Sequence, residues 1–209
     1  MAPSSRKPEN PSAQPPLGST SPLADLAGAL ARAAAGDEPA WRSVVDAYVP
    51  RVFSLIRAQC GDSDLAEEIT QSTFCTVAAK LREYQEVGRF ESWLFRIAMN
   101  RLRDEMRRRK RHASPMEEAP MASLAVVAPE RNAVRGADAA TARVLAEAIA
   151  SLNDADREII NLRHIGGLSF KQLADALNEP LGTLLARHHR ALKKLRDFLE
   201  ERGVSADVF

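Results

Sequence analysis

Apolar residues recur through most of this chain at spacings of three and four, the period of an amphipathic helix. Leu26, Leu30 and Ala33 share one face before a break at Gly36 and Asp37. Trp41, Val45, Tyr48, Val49, Val52, Phe53 and Ile56 resume the pattern, with Pro50 as its one interruption. The run Gly61, Asp62, Ser63, Asp64 predicts a turn and a new helix start, because Asp and Ser accept from unpaired backbone N–H groups. Leu65, Ile69, Val77 and Leu81 mark the buried side of a helix over residues 64–81. A loop around residues 84–88 leads to another helix over residues 93–111, buried through Leu94, Ile97, Ala98 and Leu102. In the last third, Leu145, Ala148, Ile149 and Leu152 form one stripe, Asn153 and Asp156 predict a cap, and Ile159, Ile160 and Leu162 follow. No internal repeat is present.

Two stretches lack this period. Residues 1–22 are dominated by Pro, Ser, Gln and Asn, which bury too little apolar area to offset chain entropy, so a disordered N-terminal extension is expected. Residues 113–136 hold Pro115, Pro120 and Pro129 among small and charged residues and predict a flexible linker of about 25 residues. The expected architecture is therefore all-α: two small helical domains, residues 23–112 and 137–202, on a string, with 203–209 a C-terminal tail. The net charge of this 209-residue chain is only +1, from 29 basic and 28 acidic residues, so its charge matters through pattern rather than sum. Cys60 and Cys75, the only cysteines, show no CxxC spacing, and no signal-peptide core is present. Nor does any apolar run approach the roughly 20 residues that span a bilayer. A reduced cytoplasmic location without membrane insertion is expected.

The sharpest local signal lies in the second domain. Ser169 with Gln172 forms a capping box, Leu173, Ala174 and Leu177 supply a buried face, and Asn178 suits the left-handed residue that ends a helix. Pro180 stands in the first-turn position of a further helix over residues 180–200. Two short helices across a tight turn, the second basic, have the layout of a DNA-reading helix-turn-helix. On the second, Leu184, His188, Ala191, Leu195 and Leu199 share one face, and Thr183, Arg187, Arg190 and Lys194 lie opposite. A solvated charged face is the plainer reading. The capping box, the turn and the absence of any acid between Leu181 and Arg196 favour a major-groove contact, where Arg187 would read a base if it bonds bidentately and would otherwise grip a phosphate.

The first domain carries two opposed charged faces. Asp64, Glu67, Glu68 and Gln71 gather on the polar side of their helix, where they would repel DNA and suit a basic protein partner. No histidine accompanies them at ligand spacing, so neither catalysis nor a metal or other cofactor is expected. Arg96, Asn100, Arg103, Arg107 and Lys110 form a stripe spaced by four, three, four and three. Its basic residues suit phosphates, and the Asn100 amide can pair with a base edge. Phe90, Trp93 and Phe95 adjoin the stripe and are read as core rather than as a base-stacking platform.

These residues together resemble bacterial RNA polymerase sigma factors of the extracytoplasmic-function (ECF) group. The segments Ala66-Glu67-Glu68-Ile69-Thr70-Gln71-Ser72-Thr73-Phe74 and Phe90-Glu91-Ser92-Trp93-Leu94-Phe95-Arg96-Ile97-Ala98-Met99-Asn100 are similar to their region 2. Gly167-Leu168-Ser169-Phe170-Lys171-Gln172-Leu173-Ala174, and Pro180-Leu181-Gly182-Thr183 through Arg190-Ala191, are similar to region 4. The resemblance implies a non-enzymatic initiation factor whose partners are core RNA polymerase (the clamp helices of the largest subunit, and the flap), promoter DNA and an anti-sigma factor. It implies that Asp64, Glu67, Glu68 and Gln71 dock on the clamp, and that Arg96, Asn100, Arg103 and Arg107, with Lys110 extending the stripe, contact the −10 element. The loop at residues 84–88 would hold an extruded base, Thr183, Arg187, Arg190 and Lys194 would engage the −35 element, and the linker would thread the polymerase. Ser72 departs from the family's usual acid, Leu185 and Ala186 from a basic-and-small pair, and His188 from an apolar residue. The rival reading is a free-standing helix-turn-helix regulator that binds an operator as a dimer, which leaves the acidic face and the first basic stripe without a role.

Overall fold

A computed structural model of the chain describes residues 25–112 and 139–204. The expected N-terminal extension, the linker and the last five residues of the tail lie outside the described residues. The first segment folds into α1 (Leu26–Ala34), α2 (Glu38–Cys60), α3 (Ser63–Lys80) and α4 (Phe90–His112). The second folds into α5 (Ala139–Ser151), α6 (Asp154–His164), α7 (Phe170–Leu177) and α8 (Leu181–Glu200). Among the described residues there is no strand.

Local chemistry sets these boundaries. Asp37 caps α2 by accepting from the Ala40 amide at 3.1 Å, and Asp62 caps α3 by accepting from Leu65 at 3.0 Å. Gly61 turns the corner between them at φ 73°, a left-handed conformation that costs glycine nothing. α2 runs unbroken through Pro50. The amide that proline lacks would have bonded to the Asp46 carbonyl, and both residues are exposed, so water can take that place. Val44, Tyr48, Val52, Leu55 and Ile56 then hold α2 against the rest of the core. That core is completed by Leu65, Ile69 and Val77 of α3 and by Phe90, Leu94, Phe95 and Leu102 of α4.

In the second unit Asn153 accepts from the Asp156 amide at 2.8 Å to start α6. The capping box at the head of α7 is reciprocal: Ser169 Oγ accepts from the Gln172 amide at 3.3 Å, and Gln172 Oε1 accepts from the Ser169 amide at 2.8 Å. Asn178 closes α7 at φ 54°, ψ 44°, as its type predicts. Pro180 is the residue just before α8 rather than its first-turn residue. Leu162, Leu168, Leu173, Leu184, Ala191 and Leu199 form the core around which α6, α7 and α8 pack.

The two units pack against each other. α2 packs on α6, and α4 packs on α7. Between them sits Glu91, only 4% exposed. Its carboxylate accepts from Arg51 Nη1 at 2.6 Å and from Gln172 Nε2 at 2.7 Å, with the Tyr48 hydroxyl at 3.4 Å. Arg51 Nη2 donates in turn to the Gly166 carbonyl at 2.6 Å. Asn161 donates to Gln59 Oε1 at 2.8 Å, and Arg103 pairs with Glu158. Residues 40 to 115 positions apart in the chain thus share one polar seam.

Candidate nucleic-acid interface

α3 buries Leu65, Ala66, Ile69, Thr73, Phe74 and Val77, which turns Asp64, Glu67, Glu68 and Gln71 outward to solvent. Gln71 donates to Glu67 Oε1 at 3.2 Å. Among the described residues no cation stands within ion-pair distance of Asp64, Glu67 or Glu68. The acids around the neighbouring basic helix behave differently. Glu105 binds Arg108 and Arg109, Asp62 binds Arg109 at 3.1 Å, and Asp104 meets Arg107 at 3.4 Å. The Arg108 guanidinium holds the Glu105 carboxyl below its ordinary range, and the bond from the Leu65 amide does the same for Asp62. The acidic face of α3 makes no such ion pair, although the charge of Glu68 is felt by Arg108 of this helix.

α4 places Arg96, Asn100, Arg107 and Lys110 on its exposed side, as its period predicts. Arg103 departs from them. It is half-buried, donates to Asn100 Oδ1 at 2.8 Å and is ion-paired with Glu158 of α6. Burial pushes the Glu158 carboxyl up even though that arginine is beside it. Phe90 and Phe95 are fully buried core residues. Trp93 is half-exposed and stacks on Tyr84 with ring centroids 4.6 Å apart and an interplanar angle of 23°. Lys80, Glu83, Tyr84, Gln85 and Trp93 line an open hollow of about 390 Å³ beside the stripe. The loop that frames it turns at Gly88 (φ 76°) and is tied down by the Tyr84 hydroxyl, which donates to Glu86 at 3.1 Å. Burial and Glu86 push the Tyr84 phenol up, so it remains a neutral donor.

On α8 the four expected groove residues divide. Thr183 and Arg190 are exposed. Arg187 instead makes a bidentate pair with Glu179, at 3.0 and 2.7 Å, and Lys194 binds Asp156 at 2.6 Å. Both cations lie toward the flank of α8 that faces α6 and α7, where those carboxylates wait. His188, on the inner flank, meets His164 of α6 with Nε2 atoms 3.1 Å apart. The ring centroids are 5.3 Å apart and the planes within 15°, so the rings meet edge to edge and share one N–H. Phe170 packs its edge against His188 at 5.1 Å.

Burial and the facing His164 push His188 down to about 4, with Arg163 and His189 adding to the effect, and burial lowers His164 as well. The unfolded chain therefore takes up protons that the folded chain refuses as pH falls from about 6.5 toward about 4. Stability should fall through that window and level off below it as far as this pair is concerned. Thermal melts across pH 7 to 4 should show His188→Leu losing less stability than the parent; parallel curves would rule the pair out as the cause.

Glu91, Arg51 and the outward-reaching amide of Gln172 are not among the residues the sequence singled out. The one visible signal is that Glu91 precedes Leu94 and Phe95 by three and four residues, a carboxylate on the apolar face of its helix. Among the described residues no cluster of three or more His, Cys, Asp or Glu side chains could hold a metal ion. No described helix is long and apolar enough to cross a membrane.

Two helical units, one with an outward basic stripe beside an aromatic hollow and one a helix-turn-helix, define a DNA-binding transcription protein. Comparison with known proteins gives the family. Residues 44–112 match Sigma-70 region 2, and residues 148–197 match Sigma-70, region 4. The chain is 34% identical to the ECF RNA polymerase sigma factor SigE of Mycolicibacterium smegmatis over 81% of its own length and 66% of that relative, just under two thirds. It is 32% identical to the ECF RNA polymerase sigma factor SigD of Mycobacterium tuberculosis, over 85% of each chain. Its fold is also that of the sigma factor RpoE, solved in complex with the anti-sigma factor NepR from Bartonella quintana. The two share a TM-score of 0.65 and 23% identity over 76% of this chain and 96% of that one. The chain belongs to the ECF RNA polymerase sigma factors, which places its function in promoter-directed initiation of transcription.

Proposed function

We propose that residues 23–112 form the polymerase-docking and −10-reading module of this sigma factor, and residues 137–202 its −35-reading module. The linker, residues 113–136, would run through the polymerase between them. The observation that carries this division is the contrast between α3 and α4: an exposed acidic face with no ion pair among the described residues, beside a basic stripe in the same packed unit. A carboxylate face repels DNA and attracts a basic protein surface, so Asp64, Glu67, Glu68 and Gln71 serve the polymerase clamp. Arg96, Asn100, Arg107 and Lys110 serve the −10 element, and Arg103 joins them on releasing Glu158. The Tyr84–Trp93 hollow has the aromatic lining that takes an unstacked base. Thr183 and Arg190 lead the contact with the −35 element, Arg187 and Lys194 standing behind them, while α8 and its surroundings also meet the polymerase flap.

The chain supplies recognition in the cytoplasm, and the polymerase supplies the chemistry. An anti-sigma factor that masks these faces is the expected regulator, as NepR is the partner of the Bartonella relative. Core polymerase with and without this chain, transcribing a promoter library, tests the proposal. New start sites sharing −10 and −35 sequences, and co-purification with core, are expected. No new starts and no co-purification would refute it.

A further inference from the structure

We infer that the base-reading edge of α8 is apolar, with Leu185 and Ala186 reading thymine methyl groups in the −35 element. Arg187 acts from behind as a positioning residue. The inference rests on the reading of α8 as the −35 recognition helix.

α8 packs on α5, α6 and α7 through Leu184, Ala191, Leu195 and Leu199. At 100° per residue the direction opposite that core passes between Gly182, Ala186, His189, Arg190 and Lys193, all exposed. A helix-turn-helix presents the N-terminal turns of its second helix to base edges. Here those turns hold, beside the exposed Thr183, mostly small or apolar groups. Leu181 and Leu185 are 46% and 44% exposed, Gly182 and Ala186 form the adjoining row on the side away from the core, and a Cβ built on Gly182 would meet nothing within 4 Å. Gly182 therefore fills no packing need inside the protein and leaves room for another body to approach.

Exposed leucines by themselves could serve a protein partner. Here Ala186 stands in line with Arg190 and Lys193, and Leu185 with Arg196, exposed cations with no ion pair among the described residues, and those charges suit a phosphate backbone. Of the four bases only thymine shows an apolar group in the major groove, its C5-methyl. Arg187 is held away by both oxygens of Glu179, across the α7–α8 turn. That bidentate pair ties α8 to the turn that precedes it, the basis for assigning Arg187 a positioning role.

The test uses the full chain on core polymerase and a promoter whose −35 element has been selected by that holoenzyme. Replacing −35 thymines singly with deoxyuridine removes the methyl and leaves every hydrogen-bonding group. One or two such positions should weaken promoter binding about three- to fivefold. The effect should vanish in Leu185→Ser/Ala186→Gly, whose exposed positions leave the fold intact by thermal melting. Arg187→Ala and Glu179→Ala should each weaken all −35 sequences alike, without changing base preference. A methyl effect absent in the parent, or surviving in the double variant, overturns the assignment, as does a base-specific loss in Arg187→Ala. A double variant that loses core polymerase instead of methyl dependence would mark the edge as a protein contact and overturn it too. If scrambling the whole −35 element changes nothing, the reading of α8 itself fails, an outcome distinct from a missing uracil effect.

Discussion

Glu91→Ala is expected to lower folding stability by about 3 kcal/mol or more and to let the two domains part. The size follows from what would be left behind. Arg51 is 22% exposed and keeps one bond, to the Gly166 carbonyl; without Glu91 it becomes a half-desolvated charge with no counterion. Gln172 loses the acceptor of its amide while still serving the capping box, so the head of α7 loses its link to α4. Glu91→Gln should cost less than alanine, since its one amide oxygen can keep the Arg51 bond at the Oε1 position, although its NH2 then faces the Gln172 donor and the charge is gone. Adding Arg51→Ala to Glu91→Ala should recover part of the loss, because the stranded cation goes with its partner. Denaturant unfolding gives the energies, and small-angle scattering the separation of the domains. An alanine variant as stable and as compact as the parent would show that the seam contributes nothing.

That seam also marks where the sequence stops being legible. Helix positions, the caps at Asp62, Asn153 and Ser169, and the left-handed Asn178 follow from chemistry within four residues, and the structure repeats each of them. Pro50 was the misleading local signal: the ring should interrupt α2, yet on an exposed turn water can replace the missing bond and the buried face decides. Charge placement needed more than a helical wheel. Arg187 and Arg190 look equivalent on α8, and Arg103 looks like Arg96 on α4. What separates them are Glu179 and Glu158, acids whose nearness only the packed chain reveals. The two helical domains were legible, but the contact between them was not, for the same reason. A linker of about 25 residues limits how far two domains can part but says nothing of whether they touch. The hydrogen bond between His164 and His188, 24 positions apart, is likewise a product of the fold.

Glu67→Lys with Glu68→Lys is expected to weaken binding to core polymerase by on the order of a hundredfold while leaving the fold unchanged. Both side chains are exposed, and neither has an ion pair to lose among the described residues. Asp64 stands three and four positions ahead of them, so reversal replaces like-charge neighbours with attractive ones on α3. Arg108, whose charge senses Glu68, offsets part of that gain. Net stability should therefore stay within about 0.5 kcal/mol of the parent. A basic partner surface experiences the opposite change: two attractions become two repulsions in an interface partly shielded from salt. Glu67→Gln with Glu68→Gln should fall between the two, which separates lost attraction from added repulsion. Fluorescence anisotropy of the labelled chain titrated with core polymerase measures all three. The −35 interface gives the internal control, since α8 carries none of the substituted residues and its contact with short duplex DNA should be unchanged. Undiminished core binding in the reversed variant would remove α3 as the docking face. Loss of both core and DNA binding, with a lowered melting temperature, would mean that the substitutions disturb the fold rather than the interface.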